Sequence, residues 1–355
     1  MAVSHKALFV DENAQFSVVE RNGPYPLDDG EVLIETIFSG VNPADIKHTT
    51  HLGINNTVLG YDICGRIIKT KDHSKFKVGD IVAGYTPSGV GRDRKYGSHQ
   101  DYTVAPESML FNVPDNLPQK DAACLTVVAM TAADAIFNIF DLPLPSRKSE
   151  KTTETQTGPL LIWGASSSVG FCALQFAAAS GHYPVLVTAS PGRHDSLIKL
   201  GATHCFDYSS PTVYQDIGEA IESLGPIQYA IDAVGAEPNP LASEEFQRSL
   251  SKNAKLLSVI VRNDKKFGMP VATPHQDFVI QPPGVPHVIT VPGRPESLEK
   301  AWTALLWAAE NYGRSFRLPP VEVFNGSAEE ALGELHKVAN GSRGFGKLAI
   351  PHPIK

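Results

Sequence analysis

Cysteine is scarce in this sequence: Cys64, Cys124, Cys172 and Cys205 lie far apart in 355 residues, with no C-x-x-C pair. That excludes a disulfide-stapled miniprotein and a zinc site built on paired thiolates, and predicts reduced, mostly buried thiols. No stretch approaches the ~20 apolar residues that a membrane-spanning helix needs, and Met1 to Ala7 lack the apolar core of a secretory signal. A cytoplasmic protein without membrane association is expected. Positive charge is not in excess either, since 31 Lys plus Arg stand against 38 Asp plus Glu, a formal charge of −7, with no dense basic run. Nucleic acid, which calls for clustered cations, is not an expected partner. Hydrophobic residues make up 42% of the chain and charged residues 19%, which excludes global disorder. The length predicts about two domains.

Up to residue 115 the chain reads as short extended runs broken by Gly, Pro and Asp: Lys6 to Val10, Glu31 to Phe38, Cys64 to Thr70, Asp80 to Tyr85 and Gln100 to Ala105. After Pro118 the Ala-rich, Gly- and Pro-free stretch from Asp121 to Phe140 predicts a long helix. The polar segment 147–158 has a linker composition. Beyond it, strand-like and helix-like runs alternate. Strands are expected at Leu160 to Trp163, Pro184 to Ala189, His204 to Phe206, Tyr229 to Asp232, Ala254 to Val261 and His287 to Val291. Helices are expected at Ser168 to Ser180, Asp195 to Leu200, Val213 to Leu224 and Ser243 to Ser251. This βαβ rhythm requires right-handed crossovers and a parallel sheet. Amphipathic helices at Glu296 to Tyr312 and Ala328 to Ala339 and a strand at Lys347 to Ile350 close the chain and are expected to rejoin the first region. The fold class is therefore α/β: a β-rich domain of residues 1–125 and 300–355, and a doubly wound parallel-sheet domain of residues 126–299.

The stretch Leu160 to Gly170 is a buried strand running into a turn of small residues and then a helix. A dinucleotide pyrophosphate needs this arrangement, because small side chains let the backbone approach and the first N–H groups of the helix face the anion. Gly164, Ala165, Ser166, Ser167, Ser168 and Val169 are the residues expected to hold it. The G-x-G-x-x-G pattern is imperfect, reading Ala165-x-Ser167-x-x-Gly170, so an ordinary strand-to-helix turn stays open. At the end of the next strand an NAD site usually places an acidic side chain, whereas this chain has Ala189, Ser190, Pro191, Gly192, Arg193 and His194. Ser190, Arg193 and His194 suit a 2′-phosphate, which makes NADPH the expected cofactor. The competing reading is a plain turn with a solvated arginine.

Two polar turns in the β-rich region, Gly40-Val41-Asn42-Pro43-Ala44-Asp45-Ile46-Lys47 and Leu59-Gly60-Tyr61-Asp62-Ile63-Cys64-Gly65, complete an ordered set with Val78-Gly79-Asp80-Ile81-Val82 and the small-residue turn ending Val169-Gly170. This set resembles the zinc-independent medium-chain dehydrogenase/reductases of the quinone-oxidoreductase and enoyl-reductase branch. A narrower resemblance is to fungal trans-acting enoyl reductases that serve highly reducing polyketide synthases. It rests on Asn42 to Lys47, on Leu142-Pro143-Leu144-Pro145-Ser146, on Ala189-Ser190-Pro191 and on Phe206-Asp207-Tyr208. The resemblance implies a GroES-like domain joined to a Rossmann domain. It further implies that Lys47 and Thr131 line the nicotinamide pocket, that Asn42 belongs to the cofactor site, and that Tyr208 lies near the adenosine phosphate. The implied partner is an acyl thioester carried on a polyketide synthase, and a monomer is expected.

The departures concern Gly97-Ser98-His99-Gln100-Asp101-Tyr102, where relatives carry G-A-F-A-E-Y or similar, and the basic loop Arg92 to Tyr96. The ligands of the catalytic-zinc branch are not matched. Asn42 stands where a ligand cysteine belongs and Tyr61-Asp62 replaces a His-Glu pair. The implied chemistry is hydride transfer to an enoyl thioester, with enolate charge to stabilise and a proton to deliver. Lys47 would supply positive charge near the thioester oxygen or hold the cofactor ribose. Thr131 would hydrogen-bond the nicotinamide or simply pack its helix. Tyr61 is the preferred proton donor over His48, His51 and His99. A stand-alone quinone or enone reductase, and a non-catalytic synthase-binding module, remain alternatives.

Overall fold

The computed structural model describes residues 3–145, 155–272 and 276–355. They fall into two compact units, one made of Met1–Val127, Pro274–Pro295 and Pro320–Lys355, the other of Val128–Thr273 and Glu296–Pro319. Of the predicted linker 147–158, residues 147–154 lie outside the described residues. Residues 155–158 open the strand Thr155–Trp163.

In the first unit the strand Glu31–Gly40 organises the larger sheet. It pairs antiparallel with Asp62–Lys69, with Tyr102–Pro106 and with the C-terminal strand Lys347–Pro351. Its alternating side chains face two cores, as a period of two requires. Val32 and Ile34 join Ile63, Ile67, Val82 and Leu110, while Leu33 joins Leu27 and Val104. The helix Ala328–Ala339 begins in a Ser327–Glu330 capping box and buries Ala328, Ala331, Leu335 and Ala339 against Leu8, Val10 and Ile46.

The strand Phe16–Gly23 and the helix Ala44–Leu52 were not expected from sequence. The helix has low intrinsic propensity, with two Thr and two His in nine residues. Its start is held because Asp45 accepts the backbone N–H of Asn42 at 2.8 Å, and its end by Gly53 in the left-handed region at φ 70°.

The second unit contains, among the described residues, a six-stranded parallel sheet. Its order is His204–Asp207, His182–Ala189, Thr155–Trp163, Ile227–Asp232, Leu250–Ser258 and Phe267–Gly268. The strand Thr155–Trp163 is central, with the chain order reversing on either side of it. That is the topological switch at which such sheets bind ligands.

Several sequence expectations are corrected. The single helix over 121–140 is broken into Gln119–Ala122, Thr126–Ala133 and a wide π turn at Asp134–Ile139. At the break the buried Asp134 carboxylate accepts from Asn138 and from the Val271 N–H. The helix over 243–251 is limited to Glu244–Gln247, because Ile227 donates to the Ser249 carbonyl and draws the chain into the sheet. The strand near 287–291 is not part of the parallel sheet. Ile289–Val291 pairs antiparallel with Phe278–Ile280, a hairpin tied to the first unit by Val90 N–H to Val279 O and Gln281 N–H to Leu52 O.

Residues 296–319 likewise pack in the second unit, not the first. Trp307 and Phe316 sit with Phe137 around Phe176, and both ends of the Gln175 amide hold the Arg317 backbone at 2.9 Å. Aromatic clustering of this kind dominates local stability. Phe176→Ala is expected to destabilise the protein by about 3–5 kcal/mol, read from chemical denaturation, because a fully buried ring leaves a cavity between three aromatic neighbours.

Candidate functional site

In the first unit the loop before the helix Ala44–Leu52 is locked from both sides. The Asn42 amide donates from Nδ2 to Asp62 Oδ2 at 2.9 Å and accepts at Oδ1 from the Lys347 ammonium at 2.7 Å. Lys347 also donates to the Val41 carbonyl at 2.8 Å, and Asp62 Oδ1 accepts the Val127 N–H at 2.9 Å. All three side chains are buried. The Asn42 side chain, assigned from sequence to the cofactor, is thus engaged in holding its own unit together. Burial pushes the Asp62 carboxyl up to about 7 even though the Lys347 charge opposes it.

The helix that follows presents Lys47 and His48. Lys47 is half-buried, and its ammonium makes no hydrogen bond or ion pair to a described residue. His48 Nδ1 lies 2.8 Å from the Tyr61 hydroxyl, with the two rings edge to face at 5.0 Å. Burial pulls the imidazole down to about 4 and pushes the Tyr61 hydroxyl above its ordinary range. At neutral pH the pair is therefore a neutral imidazole and a protonated phenol. The Arg92 guanidinium covers the Tyr61 ring at 4.3 Å. It also donates to the carbonyls of Val58, Gly60 and Tyr96 and to the Thr86 hydroxyl.

The loop that reads as basic in sequence therefore turns inward. Lys95 is also buried, paired with Asp28 and Glu31. His51 is exposed and bonded locally to Thr50, and His99 is fully buried away from solvent.

The family resemblance raises the question of a metal. Among the described residues no cluster of His, Cys, Asp and Glu has the form of a metal site. The residues at the ligand positions do not fit zinc, because a fixed ammonium already contacts Asn42 and the Asp62 oxygens accept from Asn42 and Val127. No step is assigned to a metal.

In the second unit the strand Thr155–Trp163 runs into Gly164 at φ 81°, and the helix Ser168–Ala179 starts at Ser167. The Ser167 hydroxyl accepts from the Gly170 N–H at 3.0 Å and donates to the Ala233 carbonyl at 2.8 Å, so it caps the helix and joins two loops. A Cβ at Gly170 would come within 2.6 Å of the Gly164 carbonyl, so the helix approaches the turn as only glycine permits. The Ser166 hydroxyl is buried without a partner, and the first-turn N–H groups at Ser168 and Val169 face no preceding helical turn. This donor set fits a dinucleotide phosphate, and Ala165 is small and buried beneath it.

At the end of the strand His182–Ala189, Ser190 and Arg193 are exposed and His194 is half-buried with Nε2 3.0 Å from the Ala189 carbonyl. Tyr208 is exposed. Asp207 lies opposite Ala189 in register, a carboxylate that the sequence reading left out of account. Its Oδ1 is occupied by the hydroxyl and N–H of Ser209, which hold it below its ordinary range. Thr131, on the helix Thr126–Ala133, is half-buried among Ala129, Met130 and Ala132. Lys47, Tyr61 and Asn42 thus belong to the first unit, and Thr131, residues 164–169, Ser190, Arg193, His194 and Tyr208 to the second.

Sequence reasoning missed Asp232. Its buried carboxylate accepts the N–H groups of Val234, Gly235 and Ala236 and pairs with Arg262 at 2.6 Å, which shapes the loop beside Gly164. The available signal was an acidic residue ending a strand just ahead of Ala233-Val234-Gly235.

The chain matches the family described as alcohol dehydrogenase GroES-like domain over residues 28–115 and that described as zinc-binding dehydrogenase over residues 168–274. It is 34% identical to the trans-enoyl reductase himH of Aspergillus japonicus over 58% of this chain and 59% of that one. With a zinc-type alcohol dehydrogenase-like protein of Schizosaccharomyces pombe it shares 30% identity over 72% of each chain. The solved structure of CurK enoyl reductase superposes with a TM-score of 0.70 at 15% identity, covering 98% of both chains. The chain spans about three fifths of the length of the first curated relatives it matches.

Asp62 carries a stability consequence. Its carboxyl binds a proton more tightly folded, at about 7, than unfolded, at about 4, so native stability falls as pH rises through that window. In urea titrations across pH 4 to 8, Asp62→Asn is expected to lose this slope, gaining on the parent chain as the pH rises. Parallel stability profiles for the two proteins would show that Asp62 does not titrate in that window.

Proposed function

Because the chain belongs to the medium-chain dehydrogenase/reductase family, we propose that it is a cytoplasmic, NADPH-dependent enoyl reductase. Its substrate in this reading is an α,β-unsaturated thioester carried by a polyketide synthase, on which it works in trans. The observation that carries the reading is Lys47. Its half-buried, uncommitted ammonium sits one residue before His48, whose ring meets the Tyr61 hydroxyl. A conjugated carbonyl gains negative charge during reduction, and a cation outside any other pairing suits that charge. Tyr61 remains protonated at neutral pH and holds the proton that an enolate must receive, with His48 orienting the hydroxyl.

The turn of the second unit supplies the other requirement. Ser166 and the backbone of Gly164, Ala165, Ser167, Ser168 and Val169 would hold the pyrophosphate. Ser190, Arg193 and His194 would receive a 2′-phosphate, Tyr208 would flank the adenosine, and Thr131 would hold the nicotinamide amide. When bound, NADPH supplies the hydride. Asp207 ends the neighbouring strand opposite Ala189 with its Oδ1 held by Ser209, so the NADPH reading rests on Ser190 and Arg193.

The test is NADPH oxidation by the purified chain with an enoyl-pantetheine thioester, beside a quinone and beside NADH. Thioester-dependent turnover is expected to fall about 100-fold or more in Lys47→Ala and in Tyr61→Phe. Turnover of the quinone alone would replace this reading with a stand-alone quinone reductase. Tight NADPH binding with no turnover would favour a non-catalytic synthase-binding module. In a separate measurement, Arg193→Ala is expected to raise the NADPH KM by about tenfold or more while leaving that for NADH nearly unchanged. Equal effects on both cofactors would refute the 2′-phosphate assignment.

A further inference from the structure

Five side chains from separate stretches of the first unit form one continuous hydrogen-bonded line. His99 Nε2 lies 3.2 Å from Asp45 Oδ2, and His99 Nδ1 lies 2.9 Å from the Ser39 hydroxyl. The same hydroxyl is 2.9 Å from His352 Nε2, and His352 Nδ1 is 3.0 Å from Asp101 Oδ1. Asp45, His99 and Ser39 are buried, whereas the Asp101 side chain keeps 15% of its surface in solvent. At the inner end Asp45 Oδ1 is buried without a partner, while Oδ2 also accepts the Asn42 N–H. One end of the line is wet, and the other is buried in the first turn of the helix that carries Lys47 and His48.

The chemistry of the middle member makes the line switchable. The Ser39 hydroxyl has one proton and two imidazole neighbours, so it donates to one ring and accepts from the other, and that choice sets both tautomers. With both rings neutral there are two arrangements in which every link is bonded, one with the extra proton on Asp101 and one with it on Asp45. Burial lowers the proton affinity of His352, in keeping with a neutral ring, although the neighbouring Asp101 opposes the effect. The groups facing Asp45 are His99, His48, Tyr61, Arg92 and the Asp62 carboxyl, and those facing His352 are Asp101, His99 and His5.

We propose that Asp101, His352, Ser39, His99 and Asp45 conduct protons from solvent to the His48–Tyr61 pair, restoring the proton that Tyr61 gives to substrate. This rests on the reading of Tyr61 as donor in an enoyl reduction. In one passage Asp101 takes a proton from water and passes it to His352 Nδ1. The His352 Nε2 proton moves to Ser39 Oγ, the former Ser39 proton to His99 Nδ1, and the His99 Nε2 proton to Asp45. One proton crosses, each bridging atom gains one bond to hydrogen and loses another or exchanges tautomer, and nothing is oxidised or reduced. Asp45 Oδ1, buried without a hydrogen-bond partner, is the atom from which the proton would pass on to a deprotonated Tyr61. His99 and His352 are positioning residues here, acting through Asp45.

Two variants separate conduction from mere packing. Ser39→Ala breaks the line at one atom. Asp101→Asn keeps an oxygen for His352 and the Ile354 N–H but has no transferable carboxyl proton. With folding checked by thermal melts, kcat for thioester reduction is expected to fall at least about tenfold in both, the lower side of what a positioned proton donor contributes. KM should be unchanged, the solvent isotope effect on kcat should be enlarged, and the pH profile should be displaced. Parent-like kcat, isotope effect and pH profile in both variants would overturn the proposal.

A second readout needs no substrate, so failure of the enoyl reading stays distinguishable. In ¹⁵N-histidine NMR of the full chain, the tautomers of His99 and His352 should change together as the pH is varied. In Ser39→Ala they should change separately. Tautomers that change independently in the parent chain would equally overturn the line.

Discussion

A buried lysine ammonium sets the terms for the first unit. Lys347 is 5% exposed, and a charge taken that far from water persists only where polar partners replace its hydration. Its partners are the Val41 carbonyl and the Asn42 amide, and through Asn42 the pairing reaches Asp62. The C-terminal strand, the loop ahead of the helix Ala44–Leu52 and the strand Asp62–Lys69 are thereby joined at one point. Removing any member would leave another buried polar group unpartnered, so the three stand or fall together.

The positions of Lys47 and His48 follow from that lock. Once Asn42 is pinned, Asp45 accepts its N–H and the helix starts there. Ile46 and Thr49 then turn inward, while Lys47 and His48 come to lie half-buried on the remaining faces. The second unit uses the same device with different atoms. The Ser167 hydroxyl caps one helix and holds the Ala233 carbonyl, and Asp232 gathers three successive N–H groups in the next loop. In both units side-chain-to-backbone bonds fix a short turn, and the groups left uncommitted beside it, Lys47 in one and Ser166 in the other, are the ones suited to a ligand.

Sequence periodicity revealed the parallel sheet because buried strands such as Leu160 to Trp163 are unbroken apolar runs, and the capped helix at Ala328–Ala339 because its apolar spacing is regular. It failed where tertiary partners decide the local structure. The helix Ala44–Leu52 is weak by propensity and depends on Asp45 and the lock behind it. The break at Asp134 depends on Val271, 137 residues away. The hairpin Phe278–Ile280 with Ile289–Val291 reads like another sheet strand, and only its bonds to Leu52 and Val90 assign it elsewhere. The candidate site residues came from motifs, Lys47, Tyr61 and the turn at 164–169 being named from spacing and resemblance. What the motifs did not show was the direction of each side chain: that those of Asn42 and Ser167 brace their own unit is seen only in the structure.

The same geometry accounts for the departure from a metal-dependent plan. A family whose second matching description is a zinc-binding dehydrogenase is represented here by a chain in which an amide, a phenol and a carboxyl occupy the ligand positions. Two buried cations lie near them, Lys347 and the Arg92 guanidinium over the Tyr61 ring. Lys347 donates to Val41 and Asn42 and Arg92 to the carbonyls of Val58, Gly60 and Tyr96, so both compensate the interior. In the proposed reading, charge stabilisation for a reacting carbonyl comes from a cation not already paired, and one residue before His48 that cation is Lys47. In the proposed reading, proton supply falls to the neutral His48–Tyr61 pair and the buried histidines behind Asp45 in place of a metal-activated hydroxyl.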